Sequence, residues 1–218
     1  MRGQIQTIVF DFDYTLADSS PAVIDCVNYA LDKLGLPGAS VEQVCATIGL
    51  SLENTFHALT EAGSEEQCRE FIRLFVQRAD EIMVERTTML PDTQQAVQLL
   101  RQSGRTLGIV STKFRRRIEA VLRREGLLDL FAVIIGGEDV PEHKPNPRGL
   151  RMAVEALGAD DASTLYVGDS LTDAETARRA DLPFVAVLSG VTPARDFERY
   201  GPVAVLNNVG DLPGLLAE

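Results

Sequence analysis

The sequence predicts an α/β fold, a parallel sheet core covered by helices on both faces, with an α-helical block inserted into it. Three observations carry that prediction. Short β-branched-rich runs recur along the chain. Amphipathic helical patterns separate them. One stretch, 19–86, breaks the alternation and contains helical patterns alone.

The first run, QTIVF (6–10), is almost wholly apolar, as a strand buried on both faces requires. It ends at two aspartates, Asp11 and Asp13. The helical stretch follows. SSPAVIDCVNYALDKLG places Ser20 as an N-cap and Pro21 at the first helical position, and it stops at Gly35. Val23, Val27, Ala30, Leu31 and Leu34 share its apolar face. SVEQVCATIG, SLENTFHALTEAG and SEEQCREFIRLFVQRADEIMVER bring the block to about four helices.

Alternation then resumes. DTQQAVQLLRQSG opens at a capping Asp92 after Pro91 and closes at Gly104. TLGIV (106–110) is the next strand. FRRRIEAVLRREG aligns Ile118, Val121 and Leu122 on one helix face and closes at Gly126. AVIIG (132–136), the helix NPRGLRMAVEALG, TLYVG (164–168), the helix DAETARRADL, FVAVL (184–188) and a weaker strand VAVL (203–206) complete the series. Strands separated by helices pair in parallel through right-handed crossovers. The expected organisation is therefore a Rossmann-like core of residues 1–18 and 87–218 with a helical cap domain at 19–86. Its hinges fall near 16–19 and 85–91.

Composition narrows the partners. The chain has 218 residues, 45% of them hydrophobic and 24% charged, with a net charge of -11. A surface that negative disfavours nucleic acid and anionic membranes, and no apolar run is long enough to span a bilayer. The start of the chain feeds straight into the first strand, so no secretion leader is expected. Three cysteines, Cys26, Cys45 and Cys68, show no CxxC spacing and read as thiols in a reducing cytoplasm. A monomer or homodimer is expected. Two histidines, His57 and His143, are too few and too far apart for a His-based metal site.

In an open parallel sheet, ligands bind beyond the carboxyl ends of the strands. Four segments deliver polar residues there: Asp11 and Asp13 after the first strand; Ser111, Thr112 and Lys113 after TLGIV; Lys144 in EDVPEHKPNP; and Asp169, Ser170 and Asp173 after TLYVG. Asp11 and Asp169 can share a hard cation, for which Mg²⁺ is suited, with the backbone carbonyl of Asp13 as a further oxygen ligand. Asp11 can attack phosphorus, and Asp13 can move the proton. Lys144 and the Ser111 hydroxyl can hold phosphate oxygens.

The four segments DFDYTLADS, IVSTK, KPNP and GDSLTD resemble, in order, the motifs of the haloacid dehalogenase superfamily. The branch they resemble most is the phosphoglycolate phosphatase-like one, with a helical cap after the first motif. The resemblance spans essentially the whole chain. It implies Asp11 as nucleophile, Asp13 as acid/base, Ser111 as phosphate-binding hydroxyl, Lys144 as the charge-neutralising lysine, Asp169 as metal ligand and Asp173 as a supporting acid. It also implies an aspartyl-phosphate intermediate. Thr15 follows as the family pattern requires, while Tyr14 stands where the commonest pattern has glycine.

The expected function is thus Mg²⁺-dependent hydrolysis of a small phosphorylated metabolite. An inorganic pyrophosphatase, a sugar-phosphate mutase, a metal-independent 2-haloacid dehalogenase and a non-catalytic phosphate sensor are the alternatives. The arginines at 115–117 read as a solvated face, His143 as a surface loop residue and His57 as structural. The turn TIGLS (47–51) reads as a substrate-contacting loop, and it carries no arginine or lysine to clamp a carboxylate.

Overall fold

The computed structural model describes residues 5–60 and 63–217. The outermost residues of the expected core, 1–4 and 218, and positions 61–62 of SLENTFHALTEAG lie outside them.

Six parallel strands form the core sheet: β1 (Thr7–Phe10), β4 (Thr106–Val110), β5 (Phe131–Ile135), β6 (Thr164–Gly168), β7 (Phe184–Val187) and β8 (Ala204–Leu206). Their spatial order is β5-β4-β1-β6-β7-β8. The chain therefore builds outward from β1 on one side, then crosses back and builds outward on the other. The β4/β1/β6 centre is the topological switch point, where open α/β sheets hold their ligands. Each predicted strand is present within a residue or so of its expected ends.

Both sheet faces are covered. Ile8 and Phe10 of β1 point into one cluster, joined by Val97 and Leu100 of α5 (Thr93–Gln102), Ile118 and Leu122 of α6 (Arg115–Arg124) and Leu212 of α10 (Leu212–Ala217). Val9 points the other way, toward Leu150 and Ala153 of α7 (Arg148–Ala156), Ala174 and Ala177 of α8 (Leu171–Arg179) and Phe197 of the short α9 (Ala194–Phe197). Alternate β1 residues thus feed opposite faces, which is why the whole run is apolar.

The helical stretch builds a third cluster of its own. It comprises α1 (Ser20–Lys33), α2 (Val41–Cys45), α3 (Leu52–Leu59) and α4 (Glu65–Ile82). Val27 and Leu31 of α1 pack with Phe56 of α3 and with Phe71 and Phe75 of α4. The Phe56 and Phe71 rings lie 5.3 Å apart. Entry and exit run side by side as two short antiparallel strands, β2 (Ala17–Asp18) and β3 (Thr88–Met89). The sequence pattern did not reveal them, because two-residue strands carry no periodicity.

Three local expectations need correction. Helix α1 starts at Ser20, with Ser19 at the N-cap position. Neither serine hydroxyl caps it: that of Ser19 donates to Asp13, and the Ser20 N–H is satisfied by Asp18 Oδ1 at 2.8 Å. Asp92 precedes α5 in a left-handed conformation, with φ of 63°, and makes no side-chain cap. The arginines of 115–117 are not simply a solvated face. Arg117 is buried; its Nη2 lies 2.6 Å from Asp80 Oδ1 and 3.0 Å from the Val76 carbonyl, both on α4. Arg116 meets the same Asp80 at 2.7 Å. The basic run ties the core helix α6 to the helical block.

Candidate active site

Parallel neighbours in a sheet lie roughly 5 Å apart, so residues just past the ends of β4, β1 and β6 must crowd together. Phe10 is in register with Ile109 on one side and Val167 on the other. Beyond them, Asp11 leaves β1, Ser111 leaves β4 and Asp169 leaves β6. The Asp11 N–H donates to the Val167 carbonyl at 2.9 Å, and that of Ser111 to the Ile135 carbonyl at 3.0 Å, so the ladder carries on into the site. All three side chains are buried.

Carboxylate oxygens of Asp11, Asp169 and Asp173 lie within 4.8 Å of one another. One buried ammonium enters this group: Lys144 Nζ is 2.9 Å from Asp11 Oδ2 and 2.6 Å from Asp173 Oδ1. Both oxygens of Asp173 are occupied. Oδ1 also accepts from the Tyr166 hydroxyl at 2.8 Å, and Oδ2 accepts from the Ser170 N–H and hydroxyl. Ser170 in turn caps α8 by accepting from the Asp173 N–H at 3.1 Å. GDSLTD is therefore a capping box and a lysine holder at once. Tyr166, read only as a strand residue from sequence, is part of this network.

Asp169 and Asp11 are less committed. Asp169 Oδ1 accepts from Thr15 Oγ1 at 3.1 Å. Asp11 Oδ1 is buried and has no hydrogen-bond partner. Burial pushes the Asp11 carboxyl up to about 6, against the pull of Lys144. Burial, with Asp173 and Asp11 nearby, raises Asp169 well above the usual carboxylate range. Burial alone would lower the Lys144 ammonium, but Asp11 and Asp173 outweigh it and raise its pKa. Three buried carboxylates facing one ammonium lack positive charge. An orphaned oxygen on Asp11, with Asp169 beside it, fits a hard divalent cation, and an all-oxygen donor set suits Mg²⁺. Gly190 keeps that space open, since a Cβ there would come within 2.0 Å of Asp169 Oδ2.

Asp13 stands apart from this cluster. The chain turns sharply after Asp11, with the Phe12 carbonyl accepting from the N–H groups of Thr15, Leu16 and Ala17. Tyr14 sits in that turn with φ of 57°. A glycine would adopt this conformation freely, and a tyrosine does so at a cost of about 1–2 kcal/mol. Its phenol leans toward the helical block, where burial and neighbouring Cys45 raise its pKa. Both Asp13 oxygens meet Lys113 Nζ at 3.0 Å, and Oδ1 accepts from the Ser19 hydroxyl at 2.5 Å. The motif IVSTK names Lys113, but nothing in the linear pattern pairs it with Asp13.

In front of Asp13 opens a cavity of about 310 Å³ between core and helical block. Thr112 and Lys113 line it from the core, and all of the TIGLS turn, Thr47–Ser51, from the other side. Asp11, Ser111 and Lys144 lie behind, outside its lining. Gly49 takes φ of 97°, which bends the turn, and its carbonyl accepts from the Thr112 hydroxyl at 3.3 Å. That bond aims the Thr112 hydroxyl at the loop rather than at Asp11. His143, expected on the surface, is half-buried and faces the cavity, with Nδ1 buried and unpartnered. His57 is exposed, edge-on to the Phe56 ring.

A family model for haloacid dehalogenase-like hydrolases matches residues 8–187. The chain belongs to this family. It is 32% identical to a phosphoglycolate phosphatase of Rhodobacter capsulatus over 96% of its length and 95% of that protein's. It is 30% identical to the phosphoglycolate phosphatase of Escherichia coli K12, covering 95% and 91%. A crystal structure of a Bacteroides fragilis protein described as a haloacid dehalogenase-like hydrolase superposes with a TM-score of 0.92 at 39% identity, covering 95% of this chain and 99% of that one. Among the described residues no helix is long and apolar enough to cross a membrane.

Proposed function

We propose that the protein is a Mg²⁺-dependent phosphatase that hydrolyses a small phosphorylated metabolite through an aspartyl-phosphate on Asp11. The observation that carries this reading is the unpartnered, buried Asp11 oxygen inside a carboxylate group with too little positive charge. Full-length similarity to phosphoglycolate phosphatases supports it.

Asp11 and Asp169, with the backbone carbonyl of Asp13, would hold the cation. When bound, it offsets the charge of the carboxylates and of the phosphate dianion. Lys144 fixes Asp11 and supplies the second positive charge, itself steadied by Asp173. The Ser111 hydroxyl, buried just past the end of β4, would hold a phosphate oxygen. Thr112 lines the cavity from the core side, and its backbone would help seat the phosphate. In the first step an Asp11 oxygen bonds to phosphorus, the phosphorus–ester oxygen bond breaks, and Asp13 gives a proton to the departing alkoxide. In the second, water attacks phosphorus, gives its proton to Asp13 and releases Asp11.

In the same reading, residues 19–86 act as a cap over the core of 1–18 and 87–218. β2 and β3 are its hinge strands, and the cap excludes bulk water during the reaction. The free thiols Cys26, Cys45 and Cys68 are consistent with a cytoplasmic protein.

The test is phosphate release from a panel of monoesters with and without Mg²⁺, for the protein and for Asp11→Asn. Turnover should require the metal and fall by at least about 10⁴-fold in the variant, which should keep its melting temperature. Near-normal rates in Asp11→Asn would overturn the nucleophile assignment.

A further inference from the structure

The cavity in front of Asp13 is where the part of the substrate beyond the phosphate must sit, and its wall has a distinct character. Val23, Ile48, Leu50, Ile72, Phe75 and Phe114 give it an apolar surface. Among its lining residues there are two permanent cations, and neither is free. Lys113 holds both oxygens of Asp13 at 3.0 Å. Arg117 is buried against Asp80 at 2.6 Å and spends a further donor on the Val76 carbonyl. Glu53 and Glu138 add negative charge at the rim. His143 also faces the cavity, but burial lowers its pKa, so the ring is neutral near pH 7.

We infer that the leaving group of the natural substrate is uncharged and largely apolar, and that the cavity selects against phosphate esters with a second anion. A carboxylate or second phosphate there would lose water, gain no free cation and face existing carboxylates. A ring or branched carbon body would instead cover the apolar wall. The neutral His143 imidazole offers a single polar contact for a hydroxyl or amide. The inference rests on the phosphatase reading for its phosphate position. It separates this chain from its phosphoglycolate phosphatase relatives, since the carboxylate of phosphoglycolate has no free lysine or arginine to meet among the lining residues.

The experiment uses two matched pairs, each a carboxylate and its carboxamide: 2-phosphoglycolate with 2-phosphoglycolamide, and 4-carboxyphenyl phosphate with 4-carbamoylphenyl phosphate. Phosphate release with Mg²⁺ gives kcat/KM for the whole protein. Calorimetry on Asp11→Asn with Mg²⁺ gives binding without turnover. The neutral member of each pair should be favoured by about tenfold or more in both measurements. Leu52→Arg, which puts a free cation on the wall, should narrow or reverse that preference. Leu50→Lys makes the same change from the loop, should Leu52→Arg fail to fold. Equal or preferential use or binding of the carboxylate members, or absence of binding by either member, overturns the inference. Absence of phosphate release from every ester, with the neutral members still bound more tightly, overturns the phosphatase reading and leaves the character of the cavity standing.

Discussion

At the carboxyl edge of the sheet, Asp11, Asp169, Asp173 and Lys144 are packed with almost no exposure, and their contacts are polar and mutually dependent. In front of Asp13, by contrast, Ile48, Leu50 and Ile72 of the helical block present carbon to the cavity. The first region is over-determined, because moving one side chain strands a buried charge. The second is permissive, since an apolar wall accepts many side chains of similar size. In the proposed function the first surface would set what reaction occurs, and the second which molecule undergoes it.

The contrast can be broken hardest at Gly190. Gly190→Ala forces the Asp169 carboxylate to turn, because the new methyl would sit 2.0 Å from Oδ2. Mg²⁺ affinity should fall by about 10–100-fold, followed by the rise of melting temperature with added Mg²⁺. An unchanged Mg²⁺ titration would mean that Asp169 does not hold the metal.

Acidity gives a smaller effect. In metal-free protein the Asp11 carboxyl, raised to about 6, keeps a proton that the unfolded chain has already lost. Its contribution to stability therefore falls as pH rises from about 4 to about 6. Mg²⁺ must displace that proton and any that Asp169 keeps, so its affinity should drop by at least about tenfold per pH unit below about pH 6. Thermal shifts measured with Mg²⁺ at about pH 7.5 and about pH 5 check this. Equal shifts at both would show that Asp11 is already ionised.

The smallest effect lies at the junction of the two regions. Asp80→Asn removes the carboxylate shared by Arg116 and Arg117. Asp80 is about half exposed, so solvent screens the loss, and urea unfolding should reveal a cost of about 1–2 kcal/mol. The Mg²⁺ titration should not change. A shift in it would mean that the junction reaches the carboxylates.

The same contrast explains what the sequence could disclose. Strands such as TIVF and TLYVG announce themselves by composition, and the residue after each strand falls at a predictable edge. Asp11 and Asp169 therefore come together as expected, and Asp173 meets Lys144. What stayed hidden depends on chain segments with no shared pattern. Lys113 finds Asp13 a hundred positions away. Arg117 turns inward because Asp80 lies on a helix from another part of the chain. Tyr166 reaches Asp173 across a turn that no strand periodicity describes. The TIGLS turn, expected to contact substrate, lines the cavity, while Ile72 and Phe75 join it from a helix whose pattern does not mark them for that place.

The position of β1 between β4 and β6 has a consequence for how the protein is made. A nascent chain exposes Asp11 long before Asp169, which follows a strand that emerges much later. Until β6 docks, the aspartate has no partner on that flank and the sheet lacks half its centre. Such distant pairings form slowly. Activity should accordingly appear late during synthesis, and shortened chains ending before β6 should be inert however well their helices form.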